Sequence, residues 1–180
     1  MVDEIKLIDR IKHGDRRALD TLIKAYYQSV FAYFYYHTQN REISMDLTQE
    51  VFVKMVASIE TYENRGKFRS WLFTIAANHL RNHWKYESRH EEYEFEEESE
   101  NDITSSLENV TDSAELLNAL SRIPTDQRDC IVLKYYYGFT SREIAEMLKV
   151  KEPTVKARIR YGLNKLSILL KGEETDGEEQ

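Results

Sequence analysis

The run from Glu87 to Asp112 constrains this chain more than any other feature: eleven Asp or Glu stand there against a single Arg, a local net charge of −10. With several Ser and Thr and few aliphatics, such a stretch cannot bury enough apolar surface to offset the entropy of ordering it. It reads as a flexible acidic linker. The 180 residues are enough for one ordinary domain or two small ones, and two fit better. The flanking blocks are mildly basic, +3 over residues 1–86 and +4 over 113–170, and an acidic tail of −4 follows over 171–180. The overall charge of −7 hides this partition. Two basic blocks on an acidic tether suit two nucleic-acid-facing domains.

Several classes drop out. No apolar run approaches the roughly 18 to 20 residues of a membrane-spanning helix, so no direct membrane insertion is expected. Met1 to Arg10 mixes charges with aliphatics and lacks the layout of a secretory signal, which predicts a cytoplasmic protein. One cysteine, Cys130, allows no internal disulfide and no thiolate cluster; on its apolar stretch it reads as a small core residue. Only 2 Pro and 6 Gly favour an all-α fold: two small helical domains joined by the acidic linker.

In the first block, Leu19, Leu22, Ile23, Tyr26, Val30 and Phe34 recur at three- and four-residue intervals and predict a helix over Arg17–His37. A second helix is expected from Ser44, as its cap, to about Ile59, burying Leu47, Val51, Met55 and Ile59 and leaving Asp46, Gln49, Glu50 and Lys54 on other faces. Tyr62 to Lys67 reads as a loop. A third helix, from about Ser70, buries Trp71, Leu72, Ile75, Ala76 and Leu80 and turns Asn78, Arg81, Asn82 and Lys85 to solvent. The first domain is thus a bundle of three or four helices.

The second block resumes near Ser113 and breaks at Ile123-Pro124. A helix carrying Cys130, Ile131, Val132 and Leu133 follows, closed by Gly138 in a left-handed cap. Thr140 or Ser141 then caps a short helix with Ile144, Ala145 and Leu148, and Pro153 opens a last one with Val155, Ile159, Leu163 and Leu166 on one face. A short helix, a tight turn and a longer helix with basic early residues outline a helix-turn-helix, whose second helix can enter the major groove. Ala145 is small where the helices cross, Val150 plugs the turn, and Val155 with Ile159 anchors the second helix. A basic helix alone more often merely solvates a surface; here cap, turn and core positions agree on a DNA reader.

Three segments, in this order, resemble the bacterial sigma factors of the extracytoplasmic-function branch: Asp46-Leu47-Thr48-Gln49-Glu50-Val51-Phe52; Phe68-Arg69-Ser70-Trp71-Leu72-Phe73-Thr74-Ile75-Ala76 with Asn78; and Thr154-Val155-Lys156. The resemblance spans about Leu19 to Leu166. It implies an N-terminal domain, 1–86, that binds core RNA polymerase and the promoter −10 element, and a C-terminal domain, 113–170, that binds the −35 element. Asp46, Gln49, Glu50 and Lys54 would meet the β′ coiled coil, with the β subunit as a further contact of the core enzyme. The loop residues Glu63, Asn64, Arg65 and Lys67 would capture an unstacked base of the −10 strand, because an extruded base is read on its edges while its phosphates are neutralised. Asn78, Arg81, Asn82 and Lys85 would line the −10 DNA; Phe68 and Trp71 read as core. Lys156, Ala157 and Arg160 take the base-reading positions of the last helix, and Thr154, Arg158 and Tyr161 face the backbone. Two departures stand out: Asn82 where many relatives carry Asp, and Lys151-Glu152-Pro153 ahead of Thr154. Many relatives also have an anti-sigma partner.

No enzyme chemistry is indicated, since the sequence holds neither a glycine-rich phosphate loop nor a nucleophile-base pattern. No cofactor is expected. His79 and His83, four apart on one helix, lack a third metal ligand and read as surface or DNA-facing residues. The competing reading is a regulator that uses only the helix-turn-helix and keeps residues 1–86 as a sensing or dimerising bundle.

Overall fold

A computed structural model describes residues 3–63, 66–90 and 114–176. Every regular element among the described residues is a helix. In chain order they form α1 (Glu4–Lys12), α2 (Arg16–Thr38), α3 (Arg41–Ser58), α4 (Phe68–His90), α5 (Ala114–Ser121), α6 (Thr125–Ile131) with a π-helical turn (Val132–Tyr136), α7 (Ser141–Leu148) and α8 (Glu152–Asp176). No described helix is long and apolar enough to cross a membrane.

Side-chain caps set the starts of the first three helices. Asp15 opens α2 by accepting from the Arg17 and Ala18 N–H groups at 2.9 and 3.1 Å, and the Arg10 guanidinium holds the same side chain at 2.6 Å. Gln39 ends α2 in the left-handed region (φ +49°), and Asn40 starts α3 by accepting from the Ile43 N–H at 3.1 Å. The second helix therefore begins at Arg41, three residues before the expected Ser44. Ser44 is buried inside it, with its hydroxyl donating to the Asn40 carbonyl at 2.6 Å. The tight Gln39-Asn40 link makes α2 and α3 a helical hairpin. Leu47, Val51, Met55 and Ile59 are all buried as the period predicts. Helix α4 begins at Phe68, not Ser70, and runs to His90, past the residue 86 at which the first domain was expected to end. The rest of the acidic strip lies outside the described residues.

In the second half, the Ile123-Pro124 break, the left-handed Gly138 (φ +70°) and the Thr140 cap are where the residues place them. Thr140 and Glu143 form a reciprocal capping box, with the Glu143 N–H donating to Thr140 Oγ1 at 3.2 Å and the Thr140 N–H to Glu143 Oε2 at 2.8 Å. The Cys130 helix does not continue regularly, because five residues widen into the π turn and spread three consecutive tyrosines over different surroundings. Tyr136 meets Tyr36 edge-on at 4.8 Å, Tyr137 tilts against Phe73 at 4.5 Å, and Tyr135 stays exposed. The buried face of α8 is Val155, Ile159, Gly162 and Leu166; Leu163, expected inside, is exposed. Gly162 lets α8 approach α6 closely, since a Cβ there would lie 2.6 Å from Ile131 Cδ1 and 3.1 Å from Gln127 Cβ.

The two halves dock on each other. Helix α2 packs on α5, and α4 packs on α7, so the buried residues of both halves join into one cluster. Tyr33 is its pivot, in edge contact with Phe34, Phe73 and Tyr137 at 5.5 to 6.3 Å. Arg128 of α6 is buried yet well used: its guanidinium donates to His37 O (2.8 Å) in the last turn of α2, to Ser121 O (2.6 Å) at the end of α5, and to Ile123 O (3.2 Å). Carbonyls at two helix C-termini, partially negative and otherwise orphaned, are thereby satisfied by one cation.

Candidate nucleic-acid interface

In the C-terminal half the turn between α7 and α8 is built without glycine. Lys149 adopts the left-handed conformation (φ +55°), and the Val150 N–H donates to Ala145 O at 3.0 Å. With Val155 fully buried and Ala145 at the crossing, α8 has one orientation and its outer face stays open. Thr154, Lys156, Arg160 and Tyr161 are exposed, and Ala157 is half-buried. Lys156 Nζ sits 2.7 Å from the Glu152 carboxylate one turn back, an exposed pair that a phosphate or base edge can displace at little expense. The Arg160 guanidinium lies 5.0 Å from the Tyr161 ring centre, a cation–π stack that aims both outward. Arg158 behaves differently. Its side chain is 25% exposed and its guanidinium bonds the Asp126 carboxylate of α6.

In the N-terminal half, Asn82 and Lys85 are exposed on α4, as expected. Arg81 is not on the solvent side: it is half-buried at the contact between the halves, where its charge acts on Asp129, and it donates to Asn78 Oδ1 at 3.2 Å. A cleft of about 320 Å³ opens here, with Leu80, Arg81, Trp84 and Lys85 of α4 on one wall and Thr125, Asp126 and Asp129 on the other. Of the candidate base-capturing loop, Glu63 and Lys67 are exposed, whereas Asn64 and Arg65 lie outside the described residues. The ends of the loop are firmly held. Tyr62 is buried with its ring 4.5 Å from Trp71, and Lys12 Nζ donates to the Tyr62 carbonyl at 2.6 Å. Phe68 is core; Trp71 is only half-buried.

On α3, Asp46, Gln49, Glu50 and Lys54 are all exposed, off the buried stripe. Two of them share a partner that the sequence does not reveal. His79, read as a surface residue, is buried at 9% exposure, with Lys54 Nζ 2.5 Å from its Nδ1 and Glu50 Oε2 2.9 Å from its Nε2. Burial first, and the Lys54 charge next, lower its pKa. The ring is therefore neutral near pH 7, with Nδ1 accepting from Lys54 and the proton on Nε2 facing Glu50 in a close but poorly directed contact. Helical spacing placed His79 beside Asn78 and Arg81; only the approach of α3 to α4 buries it.

A second polar cluster also escaped the sequence. Asp129 Oδ1 accepts from Tyr33 Oη at 2.7 Å and lies 3.2 Å from His37 Nε2, all three buried between the halves. Burial pushes the Asp129 carboxyl up to about 6 and holds His37 well below its ordinary value, so each is driven towards its uncharged form. Cys130 beside them is fully buried and burial pushes its thiol up to about 12, which removes it as a nucleophile near neutral pH.

Two family models match this chain, Sigma-70 region 2 over residues 22–90 and Sigma-70, region 4 over residues 113–166. Among similar proteins are the extracytoplasmic-function RNA polymerase sigma factor BldN of Streptomyces coelicolor, 28% identical over 92% of this chain and 65% of the length of that protein, and the sigma-E factor of Haemophilus influenzae, 28% identical over 85% and 87%. The Escherichia coli sigma-E factor is 26% identical over 88% and 89%. Two solved structures share the fold: the sigma factor RpoE in complex with the anti-sigma factor NepR from Bartonella quintana (TM-score 0.73, 22% identity, 84% of this chain and 96% of that one), and CnrH in complex with the cytosolic domain of CnrY (TM-score 0.66, 21% identity, 94% and 97%). Regions 2 and 4 in one chain, in that order and each on its own helical half, place this chain in the sigma-70 family of RNA polymerase sigma factors, in the extracytoplasmic-function branch.

Proposed function

We propose that this chain binds core RNA polymerase and directs it to promoters whose −10 and −35 elements it reads with α4 and α8. The observation that carries the proposal is the pairing of a region 2 match with a helix-turn-helix in one chain, because a regulator using the helix-turn-helix alone has no need of a region 2 bundle. The polymerase face is the exposed side of α3, where Asp46, Gln49, Glu50 and Lys54 are available to the β′ coiled coil, with Glu50 and Lys54 held against His79. Lys156 and Arg160 read −35 base edges, Ala157 offers an apolar contact, and Thr154, Arg158 and Tyr161 fix the register on phosphates. Asn78, Arg81, Asn82 and Lys85, with Glu63, Asn64, Arg65 and Lys67 of the loop, serve the −10 strand. The protein works where polymerase and promoter are, in the cell interior. An anti-sigma factor is a further partner, supported by the similarity to RpoE, whose structure is in complex with one. The division is 1–86 for core and −10 binding and 113–170 for −35 binding. The test is run-off transcription by core enzyme with this protein as the sole added factor. No promoter-dependent transcript, with a folded protein, overturns the proposal.

A further inference from the structure

We infer that His79 is a positioning residue for polymerase binding: from inside α4 it bridges Glu50 and Lys54 of α3 and holds both side chains ready for the core enzyme. The inference rests on the proposed polymerase face of α3 for what those side chains meet, and on the structure for the bridge. Glu50 and Lys54 stand four apart on one helix, in the order that favours a direct ion pair between them. Among the described residues that pair is not made. The imidazole takes its place, with Lys54 Nζ 2.5 Å from Nδ1 and Glu50 Oε2 2.9 Å from Nε2.

This imidazole does more than fill space. It is the one buried polar side chain among the described residues of α4, beside Phe68, Leu72, Phe73, Ala76, Ala77 and Leu80, so packing alone would be served by an aliphatic residue. The ring is fixed edge-on to Phe34 of α2, 6.4 Å between centroids. Lys54 can only donate, so Nδ1 accepts and the proton falls on Nε2, towards the Glu50 carboxylate. The imidazole dipole therefore runs from a cation at its accepting end to an anion at its donating end. Nε2 is buried with no well-directed acceptor, which leaves the Glu50 side chain, 60% exposed, as the group its proton steers. Long exposed side chains lose rotamer freedom when a partner immobilises them, and a group already held loses less. A rigid ring that separates Glu50 from Lys54 thus gives the α3 face a fixed pattern of charge, where the helix surface alone would let the two neutralise each other.

The experiment titrates the full chain against core RNA polymerase. His79→Leu fills the space but neither accepts nor donates, and it strands no buried charge, because Lys54 and Glu50 can both turn to water. It should keep a melting temperature near the parent's and weaken polymerase binding about three- to tenfold. His79→Gln, with an acceptor and a donor on one planar head, should restore binding to within about twofold of the parent. A double-mutant cycle separates positioning from packing. Glu50→Gln should cost less in the His79→Leu background than in the parent, whereas Asp46→Asn, one turn earlier and outside the bridge, should cost the same in both. Side-chain nitrogen NMR of the free protein near pH 7 should find the His79 proton on Nε2. Should His79→Leu not fold, His79→Met asks the same question with an unbranched side chain. Parental affinity in the folded apolar variant, no rescue by His79→Gln, an undiminished Glu50→Gln loss in the apolar background, or a proton on Nδ1 overturns the inference and leaves the proposed function standing. A parent chain that does not bind core polymerase at all sinks the assignment of the α3 face, and the inference with it.

Discussion

Helices α4 and α8 carry the residues assigned to the two promoter elements, are of similar length, and sit in opposite surroundings. Helix α8 buries one stripe and leaves most of its circumference open. Helix α4 is enclosed between α3 and α7, so that Leu72, Phe73, Ala76, Ala77, His79 and Leu80 are all buried and Arg81 is half-covered. A reading helix exposed on most sides can change its specificity residues one at a time. A reading helix that is also the shared wall of two halves cannot, because substitutions on it are felt in both.

The largest expected effect tests that sharing. Phe73→Ala should remove about 3 to 5 kcal/mol of unfolding free energy, since the ring is fully buried among Tyr33, Tyr137 and Phe139. Denaturant unfolding followed by separate probes in the two halves should show both transitions shifted. A shift confined to the N-terminal half would break the comparison.

On the open helix the consequences should be local. Arg160→Ala and Lys156→Ala should each cost about 1 to 3 kcal/mol on a cognate −35 duplex and relax preference at one base pair, leaving thermal stability close to the parent's. Arg158→Ala should weaken all sequences together. Equal losses on cognate and scrambled duplexes for Lys156→Ala and Arg160→Ala would remove both from base reading.

A smaller effect sharpens the contrast at the base of the helix-turn-helix. Thr140→Ala removes one side of the α7 capping box and should cost about 1 kcal/mol in a thermal melt. Base preference on cognate and altered −35 duplexes should not change, because the cap lies away from the exposed face of α8.

The smallest effect concerns α4 and pH. Burial, with the Lys54 charge second, holds the pKa of His79 below that of the unfolded chain. The folded state therefore binds fewer protons at that site, and its contribution is present above about pH 6.5 and lost as pH falls through the lowered value. His37 acts in the same direction, whereas Asp129, raised to about 6, acts in the other, its contribution being present below about 3.8 and lost as pH rises through 6. The His79 part is isolated as the difference between the parent and His79→Gln in unfolding free energy from pH 5 to 7.5. A difference independent of pH would mean that the imidazole titrates as in the unfolded chain.

Much of this was legible in the residues, because the signals involved are local. Helix periods, the Pro124 break, the left-handed Gly138 and the Thr140 cap depend on backbone preferences and on neighbours within a turn or two, so the helix-turn-helix and its exposed face could be read directly. The same locality explains the misses. Ser44 is as good a cap as Asn40, and which of them ends the α2–α3 link depends on how the hairpin closes. Leu163 continues an apolar stripe by spacing, yet the close approach at Gly162 turns that stripe to Leu166. His79, Arg81, Tyr33, His37 and Asp129 acquire their roles from residues up to 96 positions away, as in the bond from Tyr33 to Asp129. A helical period says which side chains share a face but not what meets that face. By itself, then, the sequence determined the helices, their division into two basic halves and the family motifs they carry. Only the tertiary structure decided that the halves dock through Tyr33, Asp129 and Arg128, because burial and pairing over that separation are properties of packed surfaces and leave no periodic trace in the chain.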